Sequence, residues 1–218
     1  MPEMKTYAFG PAQDEKPRKI VLMLHGYGSN GQDLIGLAPH LAQELPGVLF
    51  LSPDAPQPFE GGPGFGYQWF SLRSFDADYM LEGARGAAPV LDAYIDALLA
   101  QTGLAESDLA LLGFSQGTMM SLYAGPCRPN PVAGILGYSG ALLAAEEMSG
   151  PALHRVPVCL IHGEADDVVP VSMYHDARRA LEQAHYPVEG MTVPGLPHSI
   201  DEGGIAYGAA FLQKIFAA

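Results

Sequence analysis

Cysteine is nearly absent from this chain of 218 residues, with only Cys127 and Cys159 present, in no metal-binding or redox spacing. A disulfide framework is therefore excluded, and Cys159, inside an apolar run, reads as a buried thiol. Basic residues are also scarce: 11 Lys and Arg stand against 24 Asp and Glu, for a net charge of −13. A surface field of that sign repels phosphate backbones and anionic headgroups, so neither nucleic acid nor a membrane surface is expected as a partner. Charge of this size also serves simple solubility. No run approaches the roughly 18 apolar residues that a membrane span requires, and no charged n-region leads an apolar stretch at the N-terminus. A cytoplasmic protein without stable membrane insertion is the expectation.

What is present is apolar material: 48% hydrophobic residues against 16% charged, enough for one core in a single domain spanning 1–218. Short runs rich in Val, Ile and Leu over 19–25, 48–52, 109–114, 132–138, 156–162 and 188–193 read as strands buried on both faces. Continuous apolar runs of this kind suit a parallel sheet covered by helices. Between them Met80, Ala84, Ala87, Leu91, Ile95 and Leu98 recur at helical spacing, and 172–184 and 204–216 behave similarly. The alternation predicts a mostly parallel α/β fold with ligands at the carboxyl ends of the strands. One stretch breaks the rhythm. From 53 to 71, Pro and Gly punctuate Phe59, Phe65, Tyr67, Trp69 and Phe70, which serve either as packing at the core edge or as a pocket wall.

Gly113-Phe114-Ser115-Gln116-Gly117 has the Gly-x-Ser-x-Gly form, which this composition produces by chance about 0.15 times per chain. Its setting, after an apolar strand and before a helix-compatible run at 118–124, makes it a nucleophile elbow. Side chains two residues either side of the serine would collide with the neighbouring strand and helix, so Gly113 and Gly117 have a mechanical purpose. A serine hydroxyl needs a base. Among seven histidines, His198 lies in a loop between the last strand and last helix and reaches the same sheet edge, whereas His25 and His162 end strands and read as packing or loop anchors. The orienting acid belongs on a loop after a late strand, where Asp166 and Asp167 are adjacent, and spacing does not choose between them. Cation binding by Glu164, Asp166 and Asp167 lacks a second carboxylate group to complete the ligand shell. The backbone N–H groups of Tyr27, after the first of these strands, and of Gln116 are the candidate oxyanion donors.

A rival reading exists for the same region. Gly26, Gly28 and Gly31 with Asp54 match a dinucleotide-binding fingerprint, which predicts an oxidoreductase. It leaves the elbow and the aspartate and histidine loops unused. A non-catalytic binding module on the same fold would be expected to lack a member of the Ser, Asp, His set, and none is missing.

These residues resemble the phospholipase/carboxylesterase family, which includes bacterial carboxylesterases and acyl-protein thioesterases. The likeness rests on Leu24-His25-Gly26-Tyr27-Gly28, Ser52-Pro53-Asp54-Ala55-Pro56, Gln68-Trp69-Phe70-Ser71, the serine pentapeptide, His162-Gly163 through Val169-Pro170, and Pro197-His198-Ser199. It implies an α/β-hydrolase that cleaves esters or thioesters of modest size without cofactor or metal, often as a homodimer. It selects Asp166, four residues after the histidine of His-Gly, and matches Tyr27 and Gln116 as oxyanion donors. Ser71 stands where the family often has Asp, so the loop beside the pocket differs. Trp69, Phe70 and Leu72 are expected to line the acyl site.

Overall fold

The computed structural model describes residues 4–11, 15–62 and 66–217. Its strands are β1 (Thr6–Phe9), β2 (Lys19–Leu24), β3 (Val48–Pro53), β4 (Gln57–Pro58), β5 (Tyr67–Gln68), β6 (Leu109–Phe114), β7 (Gly134–Tyr138), β8 (Val158–Gly163) and β9 (Val188–Val193). The helices are α1 (Gly31–Leu34), α2 (Ala38–Leu41), α3 (Ala77–Thr102), α4 (Gln116–Cys127), α5 (Ser172–Gln183) and α6 (Glu202–Ala217). Seven strands form one sheet in the order β1-β3-β2-β6-β7-β8-β9, parallel throughout except for β1, which runs antiparallel to β3 at one edge. The mostly parallel α/β fold read from the alternating runs is the one found.

Alternate residues of each central strand enter different cores. Ile20, Leu22 and Leu24 of β2 join Leu91 and Ile95 of α3 and Leu122 of α4 on one face. Val21 and Met23 join Leu41 of α2 and Phe211 and Leu212 of α6 on the other. A strand buried on both faces favours apolar residues at successive positions, which is why these segments are largely apolar runs. The face of α3 is set by the predicted periodicity: Ala84, Ala87, Leu91, Ile95 and Leu98 are buried. Asp76 caps its first turn by accepting from the Tyr79 N–H, and Gly103, at φ 72°, closes the other end in a left-handed conformation. Truncating Leu91, which is fully buried, to Ala should cost about 3 kcal/mol.

Three features differ from the sequence expectation. β9 is half-exposed along its whole length because it is the last strand of the sheet and has a neighbour on one side only. β1 was not foreseen, being four residues long with two of them exposed. The irregular 53–71 stretch holds a two-stranded antiparallel ribbon, with Gln57 opposite Gln68 and Pro58 opposite Tyr67. Phe65 of that stretch, like Met1 to Glu3, lies outside the described residues. Among the described residues, no helix is long and apolar enough to cross a membrane.

Candidate active site

β6 ends at Phe114, and the chain then turns sharply into α4 through Ser115, whose φ of 54° and ψ of −116° are unusual for a residue with a side chain. Such a conformation costs of the order of 1–3 kcal/mol and persists only where its surroundings enforce it. They do so here. The Ser115 N–H donates to the Tyr138 carbonyl at 2.9 Å, and the Ser115 carbonyl accepts from the Thr118 and Met119 N–H groups at 2.9 and 3.2 Å. A Cβ on Gly117 would lie 1.7 Å from the Leu24 carbonyl oxygen, and one on Gly113 would lie 2.3 Å from the Thr118 nitrogen. Only glycine fits at either place, as the turn demands. Gln116 opens α4, where first-turn N–H groups lack an intrahelical acceptor and the helix dipole favours negative charge.

Two loops beyond β8 and β9 meet beside this turn. The Ala165 N–H donates to the Leu196 carbonyl at 3.0 Å and the Glu164 N–H to the Val193 carbonyl at 2.9 Å, so the segment carrying the histidine is seated on the segment carrying the acid. His198 Nδ1 and Asp166 Oδ2 are 2.7 Å apart. Asp166 Oδ1 accepts from the Val168 and Val169 N–H groups at 3.0 and 2.8 Å. Burial of the Asp166 carboxyl raises its proton affinity, but the bonds from His198 and from the Val169 and Val168 N–H groups outweigh this and hold it below the ordinary range. Asp167 is exposed and Asp166 is buried, which separates two neighbours that spacing alone left equivalent. Glu164 turns away to accept from the Thr192 hydroxyl at 2.8 Å. Among the described residues, no group of three potential metal ligands converges.

The serine turn and the histidine are neighbours. The Phe114 ring packs on the His198 ring with centroids 4.9 Å apart, and a Cβ on Gly26 would sit 3.3 Å from the Ser115 Cβ. Beside them opens a 330 Å³ cleft lined by His25, Gly26, Ser29, Phe114, His198 and Ile200, among others. The Gly26-Tyr27 loop therefore lies against the elbow, while β2 and β6, from which the two loops emerge, are paired in parallel.

His25 and His162 make their shortest bonds to backbone groups, although His162 Nε2 also lies 3.4 Å from Asp166 Oδ2. His25 Nε2 accepts from the Ala55 N–H at 2.9 Å, so the proton sits on Nδ1 and donates to the Gly26 carbonyl at 2.8 Å. Burial pushes the proton affinity of this imidazole down, keeping it neutral. His162 Nε2 meets the Val169 carbonyl at 2.8 Å and anchors the aspartate loop. Both act as the loop anchors their positions suggested.

The aromatic segment divides. Trp69 and Phe70 belong to the core, 0% and 2% exposed, while Leu72 is half-buried. The Gln116 side chain holds them in place: its Oε1 accepts from the Trp69 N–H at 2.9 Å and its Nε2 donates to the Phe70 carbonyl at 2.8 Å. The Trp69 indole N–H donates to the His25 carbonyl at 3.0 Å. The Gln116 side chain and Glu60 thus have parts here beyond the expected ones, which used the Gln116 backbone alone and left out Glu60. No local signal marks a carboxylate whose partners lie 11 and 33 residues away.

The dinucleotide reading fails at Asp54. Its Oδ1 accepts from the Gly31 N–H at 2.8 Å, placing a buried carboxylate at the start of α1 where a pyrophosphate would have to bind. α1 itself has only four residues, too short a helix for that role.

Comparison with known proteins agrees with this architecture. The model of the family described as Phospholipase/Carboxylesterase matches residues 7–216. Acyl-protein thioesterase 1 of Gibberella zeae is 31% identical over 210 residues, covering 89% of each chain. Esterase YpfH of Escherichia coli is 26% identical, covering 92% of this chain and 84% of its own. The crystal structure of esterase PE8 superposes with a TM-score of 0.91 at 38% identity, covering 98% of this chain and 99% of that one. With the family model spanning all but the chain's ends, this protein belongs to the phospholipase/carboxylesterase family of α/β-hydrolase enzymes.

Proposed function

We propose that this enzyme is a serine carboxylic-ester hydrolase acting on small to medium acyl esters, with Ser115 as nucleophile, His198 as general base and Asp166 as the orienting acid. The observation that carries this reading is the 2.7 Å Asp166–His198 bond beside a serine held at φ 54°. An ionised Asp166 accepts, so the imidazole proton resides on Nδ1 and Nε2 keeps its lone pair for the serine hydroxyl. Ser115 Oγ attacks the acyl carbon while Nε2 takes its proton. The backbone N–H groups of Tyr27 and Gln116 hold the oxyanion, and the histidine then protonates the departing alcohol. Water repeats the cycle on the acyl-enzyme.

Of Trp69, Phe70 and Leu72, Leu72 alone keeps open surface, and it serves as the acyl wall, backed by the other two. A thioester substrate is the second reading, favoured by the 31% identity to an acyl-protein thioesterase. Lysophospholipid cleavage would use the same residues. Rates for p-nitrophenyl esters of increasing acyl length, measured beside matched thioesters, separate the substrates. Ser115→Ala should abolish turnover of every one, and retention of most activity would dismiss the nucleophile.

A further inference from the structure

Glu60 projects from the turn after β4 and is one of the most heavily engaged carboxylates in the molecule, with its side chain only 14% exposed. Its Oε1 accepts from the Tyr27 hydroxyl at 2.7 Å, the Ser71 hydroxyl at 2.9 Å and the Leu72 N–H at 2.9 Å. Its Oε2 lies 2.8 Å from Ser71 Oγ and 3.1 Å from Arg73 Nε. The Tyr79 hydroxyl donates to Ser71 Oγ at 3.0 Å, which extends the network to the first turn of α3. An ionised carboxylate offers about four acceptor sites, and here they are filled from two separate parts of the chain, the Tyr27 loop and residues 71–73.

One of those parts is the loop that bears Tyr27. Its backbone is gripped on the far side by β5: the Gly28 N–H donates to the Tyr67 carbonyl at 2.9 Å and the Tyr67 N–H to the Ser29 carbonyl at 2.7 Å. The Tyr27 ring stands edge-on to Phe59, centroids 4.9 Å apart, beside Glu60 in sequence. The loop is thus fastened at residues 28 and 29 through its backbone. At residue 27 it is fastened through a side chain whose tip ends on Glu60.

We infer that Glu60 is a positioning residue for ester cleavage, fixing the Tyr27 peptide through the Tyr27 hydroxyl so that its N–H stays aimed at the developing oxyanion. This rests on the reading of Tyr27 as an oxyanion donor. The physical demand is strict, because a donor stabilises the transition state only while it stays within about 2.7–3.1 Å of the charge. The peptide that carries this N–H is held at its carbonyl, where Gly26 O accepts from His25 Nδ1 at 2.8 Å and from the Ser29 N–H at 3.1 Å, and the side-chain tether adds a hold at the Tyr27 Cα on its other side. Burial and the bond to Glu60 push the Tyr27 phenol up to about 12, so it remains a donor throughout the neutral range. Against its own desolvation, the Glu60 carboxyl is held below its ordinary range by the Tyr27 and Ser71 hydroxyls, the Leu72 N–H and Arg73. An amide at this position would keep one acceptor oxygen and turn an NH₂ toward groups that also donate.

A double-mutant cycle on p-nitrophenyl butyrate hydrolysis tests the inference, using Glu60→Gln, Tyr27→Phe and the pair, with thermal midpoints recorded for each. Each single change should lower kcat about tenfold while KM stays within about twofold, since the tether matters to the transition state and not to substrate docking. The pair should fall no further than the deeper single change. Losses that multiply, a loss confined to KM, or an undiminished kcat in either single variant would overturn the inference. If Glu60→Gln does not fold, Tyr27→Phe decides alone, because it removes one oxygen atom and leaves the carboxylate its other donors. Ser115→Ala run alongside keeps the two ideas apart. An active Ser115→Ala sinks the nucleophile assignment and with it the proposed triad, whereas an inactive one beside a fully active Glu60→Gln sinks only the tether.

Discussion

Two of the places where the molecule buries charged pairs are built for different ends. On the flank, Arg128 is 3% exposed in its side chain and ringed by carboxylates: Nε and Nη2 reach Glu106 at 2.9 Å, Nη1 reaches Asp92 at 2.9 Å, and Nη2 also pairs with Asp96. This closes the end of α4 against α3 and the turn before β6. At the carboxyl edge of the sheet, Asp166 is just as buried, yet its imidazole partner His198 keeps 16% of its side chain open, beside a cleft. The flank has the larger recess, 670 Å³, but Asp96 and Glu106 in its wall already point at Arg128. Recess size and buried charge do not mark chemistry. A buried pair whose imidazole stays partly open beside a strained serine supports the proposed reading instead.

The contrast predicts opposite phenotypes. Ser115→Ala should lower ester turnover by about four orders of magnitude or more while the thermal midpoint stays nearly unchanged, a result readable from steady-state rates and a melting curve. Asp166→Asn should cost about three to four orders of magnitude, because the amide no longer holds the imidazole in the right tautomer, while Asp167→Asn stays within about twofold. A reversed ranking would put the acid one residue later. Arg128→Met should do the converse, losing about 3 kcal/mol in urea unfolding, with unchanged turnover per folded molecule. That figure sits at the low end for a broken buried pair because Asp92 and Asp96 are 40% and 66% exposed and regain water easily. A large loss of turnover there would erase the distinction between the two regions.

The smallest effect concerns pH. Asp166 binds its proton more weakly in the folded chain than in the unfolded one, so the unfolded state takes up protons first on acidification. Its contribution to stability is complete above the ordinary carboxylate range and disappears as pH falls through the depressed folded value. Urea midpoints should therefore decline less steeply with acid in Asp166→Asn than in the native chain. An identical slope would show that the carboxylate is not held as its three bonds imply.

How much of this was legible from residue order depends on whether a feature is local. The elbow is local: Gly113, Ser115 and Gly117 carry their own steric reason, and Leu24, which forces Gly117, belongs to an obvious strand. The loop positions of His198 and of the aspartate pair follow from strand and helix alternation. Choosing Asp166 over Asp167 needs a turn whose Val168 and Val169 N–H groups draw one carboxylate inward, and spacing does not encode that. The Glu60 network joins residues 27, 60, 71 and 79, so no single window displays it. β1 escaped because four residues with two of them exposed make no periodicity. Trp69 and Phe70 read from composition as either core-edge packing or a pocket wall, and the Gln116 amide that seats them in the core belongs to a helix 46 residues away.

The central claim is that a carboxylate at 166 and an imidazole at 198 make the hydroxyl at 115 the one reactive serine. Intact-protein mass after exposure to a fluorophosphonate, followed by peptide mapping, tests it most directly. A single adduct on Ser115, forming far more slowly in His198→Ala, is the predicted result. An adduct on any other residue, or labelling of Ser115 at the native rate without the imidazole, would contradict it.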